Sequence, residues 1–472
     1  MLPAPRNYAI YPQVVQADKP TEMTIVPTER AFLLVEGKEY NLNVLTLNDD
    51  ETNYHVSGGT CNHRFAAVAH DGVLRFTYTF PAEGEHLVRF EHQEKKVFEF
   101  HVFSLYKDLY RLRPVRGDFH SHSYRSDGCQ DPAAAMGHYR EQGYDFYSLT
   151  DHNRYYPGGE IDEVYDGVKL GITRVKGEEV HAPGSVVHIV HIGGKSSVAD
   201  IYVHDEERYQ REVAEYEPRV PANVPERYKG RYARSMWACD RIHEAGGIAI
   251  YAHPYWRPGA RVFNVNDEFN RILLKSGMFD AFELVGGQSQ VGINRCVALL
   301  MELREEGIKL PLVGSSDVHG MEKAGTFPHM FTICFVKENE NDDIVDAVKQ
   351  FNCVAVEATN NEYDRHYRCY GSFRLVTYAH FLLKNYFPNL QRICQGEGIA
   401  MRTYAFDDAS KSLIEAQVKQ TDNYRLRFFG KKAPALPTDG IKNFEEKWRA
   451  VQMNGPSSKG SLVHMDPPNR QI

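Results

Sequence analysis

From residue 116 to about 357 the chain repeats one rhythm: a short apolar run, then a stretch of helical periodicity, then another apolar run. DFHSHS is followed by PAAAMGHYREQG and YDFYSLTDH. Later come TRVKGEEV, VVHIVHIGG, a helical stretch around SMWACDRIHEAGG, IAIYAHP, FDAFELVGG, a helical stretch around NRCVALLMELREEG, and LPLVGSSDVHG. Strand and helix in turn imply parallel β/α units, because a parallel neighbour is reached only through a long crossover. Seven such strands predict a closed barrel with its C-terminal strand ends gathered on one face.

The flanks break the rhythm. Within residues 1–115, TEMTIVPTE, EYNLNVLTLND, GVLRFTYTFP and HLVRFEHQEKKVFEFHVF alternate apolar and polar residues between Gly, Pro and Asn-Asp breaks. That pattern predicts an all-β, sandwich-like domain. After residue 357, SFRLVTYAHFLLKNYFPNLQRIC reads as an amphipathic helix with a break near Pro388, and the last 40 residues as an extended tail. The division is therefore 1–115, 116–357 and 358–472, and 472 residues are too many for one core. The charged, Pro-punctuated segment 200–232 follows a strand. It is expected on the loop-bearing face, as a solvated helix and loop or as a lid.

Polar residues fall at the strand ends. His120 and His122 close the first strand, two apart and so on one side of it. Asp127 follows in the loop. His152 closes the second strand, Glu179 the third and His253 the fifth, while His188 lies in the fourth. Asp317 and His319 close the seventh, again two apart. Two neighbours compete for places: Glu178 points the opposite way from Glu179, and His191 lies on the opposite face from His188. His181 fits no pattern. Asp151, beside His152, is either a supporting partner or a plain loop residue.

So many imidazoles and carboxylates in one volume would cost several kcal/mol if uncompensated. Divalent cations resolve the conflict. Nine donors exceed the roughly four to six positions of one ion, so two or three ions are expected. Nitrogen and oxygen donors without thiolate favour Mn, Zn or Fe over Mg or Ca. Clustered ions acidify water and clamp the oxygens of a displacement, which serves phosphoester or amide hydrolysis alike.

The series HSHS, SDG, LTDHN, GEE, HIV, AHP and SSDVH, in this order, resembles the polymerase and histidinol phosphatase (PHP) superfamily over residues 116–355, about half the chain. The resemblance implies a distorted (β/α)7 barrel, a trinuclear site and phosphoesterase activity. It puts His120, His122, Asp127, His152, Glu179, His188, His253, Asp317 and His319 at ligand positions. It selects Glu179 over Glu178, and His188 over His191. Asp317 and His319 are also expected to serve catalysis by handling protons. Arg125, Arg154 and Arg257 lie within four residues of ligand positions and are candidates to hold substrate phosphate.

The expected function is hydrolysis of the phosphate ester of a small metabolite or nucleotide. The alternatives are a nuclease at oligonucleotide ends, a metal-dependent amide or lactone hydrolase, and a non-catalytic, metal-stabilised binding protein. The HxH first strand is also similar to that of amidohydrolases, a likeness that implies a carboxylated lysine bridging the metals; no lysine stands at a strand end equivalent to Glu179, Lys176 lying three residues upstream, which disfavours the amide hydrolase. Net charge of −8 weighs against long nucleic acid as partner. No run of 18 apolar residues predicts a membrane span, and the N-terminus does not read as a signal peptide. Eight scattered cysteines without a CxxC pair fit reduced thiols in a cytoplasmic protein, a homo-oligomer remaining open.

Overall fold

The structure, a computed structural model, describes residues 7–48, 62–92, 96–321, 327–360, 365–404, 406, 410–443 and 447. Most of the expected C-terminal tail lies outside the described residues. The fold is mixed α/β, with three sheets among the described residues. Among the described residues no helix is long and apolar enough to cross a membrane.

The N-terminal part is one curled sheet of eight strands. Its order is Tyr8–Tyr11, Pro20–Pro27, Val73–Thr79, Asn62–His70, Glu39–Thr46, Gly84–His92, Lys96–Leu105 and Val14–Gln16. Asn62–His70 pairs with Glu39–Thr46 along most of its length and with Val73–Thr79 only at Ala69 and His70. The sheet bends at that strand and closes over Tyr8, Ile10, Met23, Leu42, Phe90 and Val102. The alternation expected of a half-buried strand is visible in Glu39–Thr46, where Tyr40, Leu42 and Val44 are buried and Glu39 and Asn41 exposed.

The other two sheets carry the histidine-rich segments. The six-stranded sheet runs Thr173–Val175, Phe146–Ser148, Arg113–Asp118, Met330–Val336, Cys353–Asn360, Arg365–Tyr370. The five-stranded sheet runs Gly177–Val180, Ile189–Ile192, Ile248–Tyr251, Ala281–Val285, Leu312–Gly314, and every residue in these five strands is buried. One-residue parallel bridges, Ser121 to Val318 and His152 to Glu179, join both edges of the five-stranded sheet to the segments that follow two neighbouring strands of the six-stranded one. Between them lie Val115, Phe119, Phe146, Val190, Ile192 and Ile250.

The expectation of uniformly parallel units needs correcting. Ile189–Ile192 is antiparallel to both its neighbours. Only eight residues separate it from Val180, too few for a crossover, so the chain must turn straight back. TRVKGEEV is two strands, parted at Lys176, one in each sheet. Met330–Val336, Cys353–Asn360 and Arg365–Tyr370 add an antiparallel flank beyond the seven expected strands.

Segment 200–232 is neither a free lid nor a wholly solvated element. It forms Ala199–His204, Glu206–Tyr216 and the start of Glu226–Glu244, and buries Tyr209, Val213 and Tyr216. Tyr209 packs on Trp237 and donates its hydroxyl to Pro183 O at 2.7 Å. The C-terminal helices Phe373–Asn385 and Phe387–Tyr404 part at Tyr386, just before Pro388. The second crosses Pro132–Glu141 so closely that a Cβ on Gly398 would lie 2.1 Å from Glu141 N. Pro132–Glu141 starts where it does because Asp131 caps Ala133 N and Ala134 N and a proline fills the first turn.

Candidate metal centre

The loops that carry the polar residues are held from behind by buried carboxylates. Arg113–Asp118 ends two residues before His120 rather than at it. Asp118 is fully buried and accepts from His120 N–H at 3.0 Å, Ser316 N–H at 3.0 Å and Tyr139 O–H at 2.8 Å. It thereby ties the loop of His120 to the loop of Asp317, and burial pushes its pKa up to about 6. Asp151 accepts from Ser123 N–H at 2.8 Å, Ser123 O–H at 2.6 Å and Ser126 O–H at 2.5 Å, and so shapes the Ser126-Asp127-Gly128 turn. A side chain at Gly128 would meet His122 O at 2.4 Å. Asn153, His253 and Asp317 all have positive φ (54°, 20° and 51°), backbone strain of the kind that collects at functional sites.

Glu179 stands at the middle. Its Oε1 lies 3.1 Å from His181 Nε2, 3.1 Å from His188 Nδ1 and 3.2 Å from His253 Nε2. Its Oε2 lies 2.7 Å from His152 Nδ1, 3.4 Å from His120 Nε2 and 3.5 Å from His122 Nε2. Asp317 faces the same space: Oδ1 is 3.0 Å from His122 Nε2 and 3.3 Å from His120 Nε2, and Oδ2 is 3.8 Å from His253 Nε2. Nearer solvent, Asp127 Oδ1 is 3.4 Å from both His152 Nε2 and His319 Nε2 and 4.0 Å from His122 Nδ1. All nine expected ligand positions thus share one cluster, which resolves into five overlapping donor groups, each within 4.8 Å.

The charges are mutually dependent. Burial opposes the charge on His120 and His253, but Asp317 and Glu179 outweigh it, holding His120 well above its ordinary pKa and raising His253 to about 9. For His122 and His188 burial prevails and lowers each to about 4. Glu179 and Asp317 are held well below the usual carboxylate range, because the surrounding histidines overcome their burial. Buried nitrogens of His120, His122, His152, His181, His188 and His253, with Glu179 Oε2, lack a hydrogen-bond partner among the described residues. Divalent cations match that deficit, and the donors are nitrogen and oxygen without thiolate.

Two members escaped the sequence reading. His181 follows strand Gly177–Val180, and the register Val180↔Ile189 sets it opposite His188, with ring centroids 3.7 Å apart. Glu283 sits inside Ala281–Val285, not at its end, with Oε2 2.9 Å from His120 Nδ1. The signal in the first case was a histidine two past Glu179; in the second, a lone carboxylate within an apolar strand. His188 itself precedes its strand. An antiparallel strand presents its N-terminal end where parallel neighbours present their C-terminal ends. His191 lies on the other side, where its Nδ1 pairs with Glu178 Oε1 at 3.0 Å. Glu178 also accepts from Ser197 O–H and Val198 N–H.

The arginines separate. Arg125 pairs with Glu160 at 2.8 Å, and Arg154 is exposed. Arg257 lines a cavity of about 470 Å³ with Trp256, Ser289, Asp317 and His319. Lys176 is exposed, and its backbone N–H donates to Asn341.

No family model and no curated protein matches the chain. Solved structures to which it is similar carry the names of metal-dependent phosphoesterases, in one case PHP-like, and of an amidohydrolase. One is a two-domain protein from Bacteroides vulgatus, named as containing such an enzyme by prediction: 18% identity, 55% of this chain and 76% of that chain covered, TM-score 0.35. Another, from Bifidobacterium adolescentis and provisionally named a metal-dependent phosphoesterase, shows 17% identity over 45% of this chain and 91% of that chain, TM-score 0.33. A third, an amidohydrolase from Chromobacterium violaceum with bound sulfate, shows 19% identity over 44% of this chain and 89% of that chain, TM-score 0.30. These likenesses are slight.

Proposed function

We propose that this chain is a metal-dependent phosphoesterase that hydrolyses the phosphate ester of a small metabolite or nucleotide. Two or three divalent cations (Mn, Zn or Fe) would be held among the donors around Glu179, Asp317 and Asp127. Glu179 carries the reading: one fully buried carboxylate has three imidazole nitrogens within 3.2 Å of one oxygen and three within 3.5 Å of the other. A carboxylate cannot satisfy six imidazoles by hydrogen bonding alone, and several of their nitrogens have no other partner. We read the two bridged sheets as a distorted seven-strand barrel of the PHP kind, flanked by the 1–115 and 358–472 parts. The bridges at Ser121 and His152 support the closure.

Bound cations would supply a water of lowered pKa and charge neutralisation at the phosphoryl oxygens. The chain does the rest. Asp317 and His319 belong to both the cluster and the adjoining cavity, so we assign them the contact with the reacting group and the handling of protons. Arg257 is assigned the substrate phosphate, for which its guanidinium fork is suited. Arg125 would first have to leave Glu160, and Arg154 offers only an exposed charge.

The test is phosphate release from nucleoside monophosphates, sugar phosphates and short oligonucleotides, with Mn²⁺ and again under chelation. Chelator-sensitive release, abolished in Asp317→Asn with the fold retained, is expected. Silence from metal-loaded protein across the whole set refutes the phosphoesterase reading and favours amide hydrolysis or a binding role.

A further inference from the structure

Strand Ala281–Val285 (AFELV) is buried along its whole length and carries a single charged residue, Glu283. Its Oε2 lies 2.9 Å from His120 Nδ1. Its other oxygen has no hydrogen-bond partner among the described residues. The far nitrogen of the same ring, His120 Nε2, faces Asp317 Oδ1 at 3.3 Å and Glu179 Oε2 at 3.4 Å. One carboxylate thus holds the imidazole from behind while two meet it in front. Gly286 leaves Glu283 room, since a Cβ there would come within 3.1 Å of Oε1. A carboxylate in an apolar strand costs several kcal/mol unless paired, and His120 is the partner in reach.

We propose that Glu283 is a positioning residue for the metal centre. By accepting the Nδ1–H of His120 it fixes the tautomer, leaves the lone pair on Nε2, and turns that nitrogen toward Glu179 and Asp317, where a cation would be held. Glu283 acts only through His120. The inference rests on the metal-centre reading proposed above.

The test is Mn²⁺ titration of full-length, metal-stripped protein against a chromophoric chelator, with thermal melting in chelator as the control for folding. Glu283→Gln keeps an acceptor for Nδ1–H but loses the charge, and weakens binding by about tenfold. Glu283→Leu loses both and weakens it by up to roughly 100-fold. In a His120→Gln background, Glu283→Gln adds no further loss. Wild-type affinity in Glu283→Gln, or an equal loss with and without His120, overturns the inference. A merely structural role would lower the melting temperature and leave affinity unchanged, which also overturns it. Should Glu283→Leu fail to fold, the near-isosteric glutamine decides. A wild-type protein that binds no Mn²⁺ overturns the metal-centre reading itself.

Discussion

Gly287 tests the cluster through a single methyl group. Its φ is +53°, and a Cβ there would lie 2.7 Å from Asp317 Oδ2, 2.7 Å from His253 Cδ2 and 2.9 Å from His253 Cβ. Ordinary contact begins at 3.4 Å, so Gly287→Ala must displace two donors by about 0.7 Å or move the loop. The left-handed backbone adds about 1 kcal/mol, and the overpacking about 1–3 kcal/mol more. Displacement on that scale costs about 10²-fold in rate when reacting groups must be held in register. Gly277 is the matched control. Its φ is +76°, it is exposed, and nothing lies within 4 Å of its Cβ position. Gly277→Ala should lose about 1 kcal/mol of stability and no activity. Both variants are to be compared in Mn²⁺-dependent phosphate release and in thermal melting. Gly287→Ala with wild-type turnover would refute the placement of Asp317 and His253 at the working site.

Two other outcomes follow from the same geometry. His188→Gln removes a donor beside Glu179 and lowers the cation content, while His191→Leu takes one of the three partners of Glu178, costs about 1–3 kcal/mol and leaves the cation content alone; metal analysis and melting of the two proteins separate these effects. In the N-terminal sheet, His86 is buried between Thr46 Oγ1 at 3.0 Å and Ser104 Oγ at 2.8 Å, and burial lowers its pKa from 6.5 to about 4. The folded state therefore binds that proton less readily than the unfolded chain. Its stabilising contribution is full above pH 6.5 and falls by roughly 3 kcal/mol as pH drops from 6.5 to about 4. In urea melts the stability advantage of wild type over His86→Gln should shrink by that amount across this window; an advantage independent of pH contradicts it.

The cluster was legible where local rules apply. His120 with His122, and Asp317 with His319, share a side because they lie two apart, and strand-end placement singled out His152, Glu179 and His253. His188 was harder. Residues 188 and 191 of an extended segment point to opposite faces, and periodicity alone could not rank them. The deciding fact is the connection after Val180, with Gly184 at φ +77° in a Pro-Gly turn, which sends the chain back antiparallel and brings His188 to the face beside His181.

Glu283 is hidden from local rules for another reason: it lies inside a strand rather than at its end, and its role depends on a partner 163 residues away. In the N-terminal sheet, strands with clean alternation were recognised. Tyr8–Tyr11 and Val14–Gln16 were too short to show a period, and Asn62–His70 had not been singled out. The flank formed by Met330–Val336 and Cys353–Asn360 is a pairing choice between distant segments, which no local pattern encodes.

The most direct test of the account is the metal content of full-length protein reconstituted with Mn²⁺ and freed of excess ion by gel filtration. Two or three equivalents per chain are predicted, with a loss of more than one in Glu179→Gln, since that carboxylate is common to both histidine trios. Less than one equivalent in the wild type, or a Glu179→Gln protein that retains them all, would contradict it.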